Sequence, residues 1–262
     1  MNIDGKTEVY GIIGDPIRQV AAPKLMNSVY RGRKENKVLV PFHVNSQSLA
    51  ATIHGLRCVQ NFKGAVITMP HKTEIVKLLD EASDEVKMVS ACNVIKRAPD
   101  GSIHGDLLDG KGFVQGLKNH HHTLKDKTVF LQGCGGAASA IAFSLCENEI
   151  QKLLIFNRTQ SKALRLIDQL KKRYPIIDIS FSDTIPSDTN LYINGTSVGM
   201  QASDRPLFPL ANLGIRDLLV ADIITSPEMT CTLKEATQQG HQIQKGIAML
   251  EGQIELMHQF MD

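Results

Sequence analysis

The chain has 262 residues, 42% of them hydrophobic and 21% charged, which is enough to bury a sizeable core in one large domain or two ordinary ones. Its 29 basic and 27 acidic side chains leave a formal net charge of +2, without the concentrated basic face of a nucleic-acid binder. No apolar run approaches the roughly 18 residues of a membrane span, and the first residues lack the basic and apolar regions of a signal peptide.

Short apolar runs read as strands at 8–14 (EVYGIIG), 39–44 (LVPFHV), 64–69 (GAVITM), 128–133 (TVFLQG), 153–157 (LLIFN), 178–182 (DISFS), 191–196 (LYINGT) and 218–224 (LLVADII). Helical periodicity lies between them, as in TEIVKLLDEAS and QSKALRLIDQLKKRY. This β–α alternation predicts an α/β protein whose strands form parallel sheets joined by crossover helices. KGFVQGLKNHHHTLKDK reads as a helix running into a polar loop, after which TVFLQG starts a new βαβ unit. The expected organisation is a first domain over 1–109, a Rossmann-type domain over 110–240, and a C-terminal helix within 241–262 that returns to the first domain. The consecutive histidines 120–122 point in different directions and read as a solvated loop, so no metal site is expected. Five widely spaced cysteines (58, 92, 134, 146 and 231) form no C-x-x-C pair and fit a reducing compartment. The expectation is a soluble cytoplasmic protein with a small-molecule partner, monomeric or homodimeric, with no nucleic-acid or membrane partner.

TVFLQGCGGAASAIAFSL is an apolar strand, a glycine-rich turn and a helix start of small residues. Gly133, Gly135, Gly136 and Ala137 let backbone N–H groups approach a pyrophosphate, and the N-terminus of the next helix faces the anion. The next strand ends about 20 residues on, where NAD enzymes carry an acidic residue for the ribose hydroxyls. Here the chain offers Asn157-Arg158-Thr159, with Lys162 one helical turn later. A guanidinium pairs with a 2′-phosphate, whereas a carboxylate repels it, so the expected cofactor is NADP(H).

The whole chain resembles the shikimate dehydrogenase family. The resemblance is carried by GDPI…P…N (14–27), ITMPHK (67–72), ACNVI (91–95), GDLLDGKG (105–112), GCGGAASA (133–140), NRTQSKA (157–163), NGTSVGM (194–200) and KGIAMLEGQ (245–253), in the family's order. It implies a two-domain α/β enzyme with an N-terminal substrate domain, a C-terminal NADP domain and an active site in the cleft between them. It also implies reversible hydride transfer between NADPH and the keto carbon of 3-dehydroshikimate, as in the biosynthesis of aromatic amino acids and quinate/shikimate metabolism. By motif, Lys72 and Asp109 take the catalytic positions. Thr68, Asn93 and Gln253 take substrate-binding positions, and Gly246 borders the nicotinamide. Reducing a ketone places negative charge on oxygen, so a proton donor is needed within hydrogen-bond reach.

The sequence departs from the family pattern around the substrate. That pattern runs G-x-P-I-x-H-S-x-S-P-x-x-H-N, and its two serines grip the substrate carboxylate. GDPIRQVAAPKLMN places Val20 and Ala22 at the serine positions, Gln19 and Met26 at the histidines. Val66 replaces an asparagine, Leu107 and Leu108 precede Asp109, and Thr225 stands near a usual tyrosine. The expectation is retained chemistry on a non-standard substrate, less polar on the carboxylate side or presenting its acid to Arg18 or Lys24. Two alternatives stay open: an authentic shikimate dehydrogenase with a rearranged carboxylate site, and an NADP-binding sensor without turnover.

Overall fold

The computed structural model describes residues 3–211 and 213–262. Contacts divide the chain into two bodies. One runs up to Leu108 and adds Gln253–Asp262; the other is Asp109–Gly252.

The first body is built on a six-stranded sheet. In chain order it contains β1 (Glu8–Gly14), α1 (Ala22–Gly32), β2 (Lys37–His43), α2 (Leu49–Arg57), β3 (Phe62–Ile67), β4 (Glu81–Ala82), α3 (Asp84–Val89), β5 (Val94–Arg97) and β6 (Ile103–Asp106). The strands lie in the order β2-β1-β3-β5-β6-β4. β1 runs parallel to both β2 and β3, as expected, but β5 pairs antiparallel with β3 and with β6. The sheet is therefore mixed rather than parallel. Its hairpin turns on APDGS: Gly101 adopts φ +91°, and its N–H donates to the Ala98 carbonyl at 2.9 Å. The Asp100 carboxylate then accepts from the Ser102 N–H at 2.9 Å. Proline, aspartate and glycine each supply a distinct part of such a turn.

TEIVKLLDEAS, expected as one helix, is instead a single 3₁₀ turn at Glu74–Leu78 followed by β4 and the start of α3. The carboxylate of Asp80 accepts from Ile103 N–H at 2.7 Å and pairs with Arg57, which draws the chain out of helical register. Ser83 then caps α3 by accepting from Val86 N–H at 3.3 Å. The core beneath the sheet holds Tyr10, Ile13, Met26, Tyr30, Leu39, Ile53, Phe62, Ile67 and Ile75.

The second body contains α4 (Asp109–Asn119), β7 (Thr128–Gln132), α5 (Gly136–Glu147), β8 (Lys152–Phe156), α6 (Gln160–Arg173), β9 (Asp178–Phe181), β10 (Leu191–Asn194), β11 (Leu219–Asp222), α7 (Cys231–Gln238), β12 (Gln242–Gln244) and the start of α8 (Gly246–Met261). Its sheet is parallel throughout, in the order β12-β11-β10-β7-β8-β9. Read from β9, this is the 3-2-1-4-5-6 order of a dinucleotide-binding fold, whose connections reverse direction between β7 and β10. All five residues of β7 are buried, as an apolar run covered on both faces must be. One face packs Phe130, Leu154, Tyr192, Val220 and Leu233 into a cluster, with Phe208 edge-on to Phe130 at 4.9 Å.

Two boundaries differ from the expected ones. Asp109 is the first residue of α4 and groups with the second body, not the first. Residues 241–252 also belong to the second body, because β12 extends the parallel sheet beside β11 and Gly252 packs against the Gly112 carbonyl. Only the part of α8 from Gln253 onward groups with the first body.

Candidate functional site

In the first body, the expected substrate-binding residues converge on the carboxyl ends of β1 and β3. β1 ends at Gly14, where a side chain has no room: a β-carbon would run into the Thr68 methyl and lie 3.1 Å from the Met69 carbonyl. Thr68 N–H donates to Ile13 O at 3.0 Å, and Asp15 N–H donates to Met69 O at 2.9 Å. These bonds hold the 14–22 loop against the segment leading to Lys72. The fully buried His71 bonds the Val44 carbonyl through Nε2 at 2.6 Å, and the Lys72 carbonyl accepts from Cys92 N–H at 2.8 Å. Burial pushes the Cys92 thiol up to about 12, so this neighbour of Lys72 stays protonated and inert.

Asn93 is only 1% exposed. Its Oδ1 accepts from the Leu108 N–H at 2.7 Å, and its Nδ2 donates to Gln253 Oε1 at 3.3 Å. Two of the expected substrate-binding residues, Asn93 and Gln253, are thus directly bonded to each other. Leu107 and Leu108 are buried beside them, and Val66 is buried in β3.

The opening loop has the expected frame, with apolar groups inside it. Val20 is half-buried, and Ala22, the first residue of α1, is 2% exposed. Gln19 turns away, donating to Pro16 O at 2.8 Å, and Met26 is fully buried core. Arg18 and Lys24, the cations expected to offer another carboxylate grip, are exposed, as is Thr225. Asn27, the last residue of the motif, locks α1 to β2 with two 2.8 Å bonds, one to Leu39 O and one from Leu39 N–H.

In the second body Asp109 opens α4 and is 3% exposed. The glycine turn between β7 and α5 is crowded at its first glycine and open at its second. Gly133 has φ +115°, and a β-carbon there would lie 2.8 Å from Gly195 O and 2.9 Å from the Thr196 methyl. Gly135 caps α5 without a side chain and faces open space. The first turn of α5 bears no acidic residue and begins with Gly136 and Ala137. Backbone N–H groups at such a helix start favour an anion.

β8 is stitched to this turn by Gly133 N–H donating to Phe156 O at 2.7 Å. Beyond it Asn157 donates to Thr159 O at 2.9 Å, shaping the start of α6, while Arg158, Thr159 and Lys162 are exposed. Burial pushes the half-buried Cys134 thiol up to about 11 against a weaker opposing pull from the Lys162 ammonium. Gly246 sits so close to the Ile223–Ile224 backbone that a β-carbon cannot fit. Among the described residues no group of three or more His, Cys, Asp and Glu side chains is arranged to hold a metal.

The sequence reading missed a buried polar network at the carboxyl ends of the central strands. Gln132, Asn194 and Asp222 are the last residues of β7, β10 and β11, and register aligns them. Gln132 Oε1 accepts from Tyr192 OH at 2.6 Å, and its Nε2 donates to Asn194 Oδ1 at 3.2 Å and Thr196 Oγ1 at 3.1 Å. Asn194 Nδ2 donates to Asp222 Oδ2 at 2.9 Å, which also accepts from Thr230 Oγ1 at 2.7 Å. Burial pushes the Asp222 carboxyl up to about 6 despite these donors. A signal was available: each of three apolar strand runs ends in a polar residue, where open α/β sheets bind ligands.

Comparison with known proteins agrees with this geometry. Residues 12–95 match the family model "Shikimate dehydrogenase substrate binding domain", and residues 116–198 match "Shikimate / quinate 5-dehydrogenase". The chain belongs to the shikimate dehydrogenase family. It is 32% identical to a shikimate dehydrogenase (NADP(+)) of Alkaliphilus oremlandii, over 96% of this chain and 90% of that one. It is 34% identical to one of Methanosphaera stadtmanae, with the same coverage. A shikimate 5-dehydrogenase of Listeria monocytogenes, solved with shikimate and NAD, superposes with a TM-score of 0.86 at 28% identity, covering 97% of this chain and 93% of that one. The two family matches span the 14–22 loop, Thr68, Lys72, Asn93, the glycine turn and the Arg158 segment. Asp109, Gly246 and Gln253 lie outside both.

Proposed function

We propose that this member of the family is an NADP(H)-dependent oxidoreductase that reversibly interconverts a ring ketone and its alcohol, on a cyclic compound related to shikimate or quinate. The 3-2-1-4-5-6 sheet, with its glycine turn and the cations that follow β8, carries the cofactor half of this reading. Gly133, Gly135, Gly136 and Ala137 would hold the pyrophosphate, Asn157, Arg158, Thr159 and Lys162 the 2′-phosphate end, and Gly246 the nicotinamide side. Among the described residues neither Arg158 nor Lys162 has an ion-pair partner, and both are exposed, so their charge is available to a phosphate. Bound NADPH supplies the hydride.

Lys72 is the group that delivers a proton to the ketone oxygen as negative charge develops there, and recovers it in reverse. Asp109, by its place in the family pattern, is the second catalytic residue, the carboxylate for the reacting hydroxyl. Thr68, Asn93 and Gln253 bind the ring hydroxyls, with the Asn93–Gln253 bond keeping the two amides in a fixed relation.

The substrate half rests on one observation: the family's carboxylate-gripping positions are Val20 and Ala22, neither of which has a donor on its side chain. A carboxylate desolvated against methyl groups forfeits hydrogen bonds of about 1.5–3 kcal/mol each. The preferred substrate therefore lacks a carboxylate at that point. A second reading, an authentic shikimate dehydrogenase with its acid bound elsewhere, is favoured by the names of relatives at 32% and 34% identity. The enzyme is taken as soluble and cytoplasmic, which five free cysteines support, and as a monomer or homodimer. Steady-state NADP⁺ reduction across shikimate, quinate and carboxylate-free ring polyols separates the readings. Shikimate turnover at ordinary enzyme rates selects the second. Lys72→Ala should abolish turnover of the best substrate while NADPH binding persists; unchanged turnover overturns the role given to Lys72.

A further inference from the structure

Gln132 stands immediately before the glycine turn, 1% exposed, at the strand junction where the sheet's connections reverse. Its side chain joins three groups of the neighbouring strand and loop: Tyr192 within β10, Asn194 at its end, and Thr196 beyond. Thr196 is the hub of that loop. Its hydroxyl donates to Asn194 Oδ1 at 2.7 Å and accepts from Val198 N–H at 3.1 Å as well as from Gln132. The loop in turn supports the glycine turn, because Gly195 O and the Thr196 methyl occupy the space a Gly133 side chain would need. Gly195 is confined likewise, with a β-carbon there lying 2.8 Å from the Ala138 methyl and 3.0 Å from Gln132 O.

We infer that Gln132 is a positioning residue for the dinucleotide, acting through Thr196 to set the height of the Gly133–Gly136 turn. This rests on the reading of that turn as the NADP(H) site. Removing the amide takes away the bond from β7 to the Thr196 hydroxyl and leaves the loop held there by the Gly195 N–H to Gln132 O bond at 2.8 Å, so the side of the turn that the Thr196 methyl supports is loosened. It also takes from the buried Tyr192 hydroxyl its acceptor on Gln132 and leaves it only the Thr232 contact, which costs stability by itself. The two effects are separable, because replacing both members of a hydrogen-bonded pair by apolar groups of similar shape is close to neutral for stability.

The test uses the full chain and the fluorescence of NADPH, with urea unfolding measured in parallel. Gln132→Leu should weaken NADPH binding at least tenfold and lower the unfolding midpoint. Gln132→Leu combined with Tyr192→Phe should recover most of the midpoint and leave NADPH binding weak. Thr196→Val, nearly isosteric, should weaken NADPH binding by a similar factor. The inference is overturned if the double variant regains wild-type NADPH affinity along with its stability, which would make Gln132 purely structural, or if Thr196→Val binds NADPH normally. Failure of the wild type itself to bind NADPH would overturn the cofactor assignment, and this inference with it.

Discussion

If Val20 and Ala22 are what excludes a carboxylate, restoring hydroxyls there should restore shikimate. The perturbation is the double substitution Val20→Ser with Ala22→Ser. At position 22 serine is close to alanine in size, so this 2% exposed first residue of α1 accepts the hydroxyl without overpacking. At position 20 two methyl groups leave a half-buried site, costing about 1 kcal/mol of stability. Each hydroxyl donating to a carboxylate contributes about 1.5–3 kcal/mol. The two positions are neighbours on one loop and are not independent, so a combined gain of about 2–4 kcal/mol is reasonable. At 1.4 kcal/mol per decade, kcat/KM for shikimate should rise roughly 30- to 700-fold, with KM for NADP⁺ unchanged. Steady-state NADP⁺ reduction reads this directly, with a carboxylate-free ring polyol as the counter-substrate. A folded double variant whose shikimate kcat/KM equals that of the wild type would refute the argument.

Arg158→Ala should weaken NADPH binding about 10- to 100-fold, the loss of one charge-assisted contact, and leave NADH nearly unaffected; equal losses for both would remove Arg158 from the 2′-phosphate. Gln244 is buried at the end of β12, and among the described residues neither atom of its side-chain amide has a hydrogen-bond partner. Gln244→Met should therefore raise stability by about 1–2 kcal/mol in urea with an unchanged m-value, whereas a lowered midpoint would mean that the amide has a partner. Burial pushes Asp222 up to about 6 from 3.8, so the folded state favours its protonated form. That contribution is complete below pH 3.8 and is lost as pH rises through 6, a difference on the order of 3 kcal/mol. Urea unfolding of wild type and Asp222→Asn between pH 4 and 7 should diverge accordingly, and a pH-independent difference would contradict the sign.

What the sequence disclosed follows from how local each signal is. β7, the glycine turn and α6 are continuous in the chain, and TVFLQGCGG and QSKALRLIDQLKKR announce themselves through strand, turn and 3.6-residue periods. The β5–β6 hairpin was missed although APDG is a strong turn signal, because its strands are only four residues each. TEIVKLLDEAS has the composition of a helix, and what breaks it is Asp80 reaching Arg57 and Ile103, partners distant in the chain. The site divides the same way. The motif residues could be named one by one from their blocks. The bond between Asn93 and Gln253, 160 positions apart, and the Gln132–Asn194–Asp222 alignment depend on folding and leave no local trace beyond a polar residue closing an apolar run.

The bare Cα of Gly14 has an influence beyond its own loop. Threonine's branched Cβ leaves it few side-chain torsions, and the methyl of Thr68 rests in the hollow where a side chain at position 14 would be. Filling that hollow would swing the methyl out and redirect the hydroxyl on the same carbon. A residue 54 positions upstream thus sets the direction in which Thr68 can offer its hydroxyl to a ligand. If Thr68 binds the substrate as proposed, a substitution at Gly14 should raise KM for that substrate, even though Gly14 itself contributes no side chain to hold it.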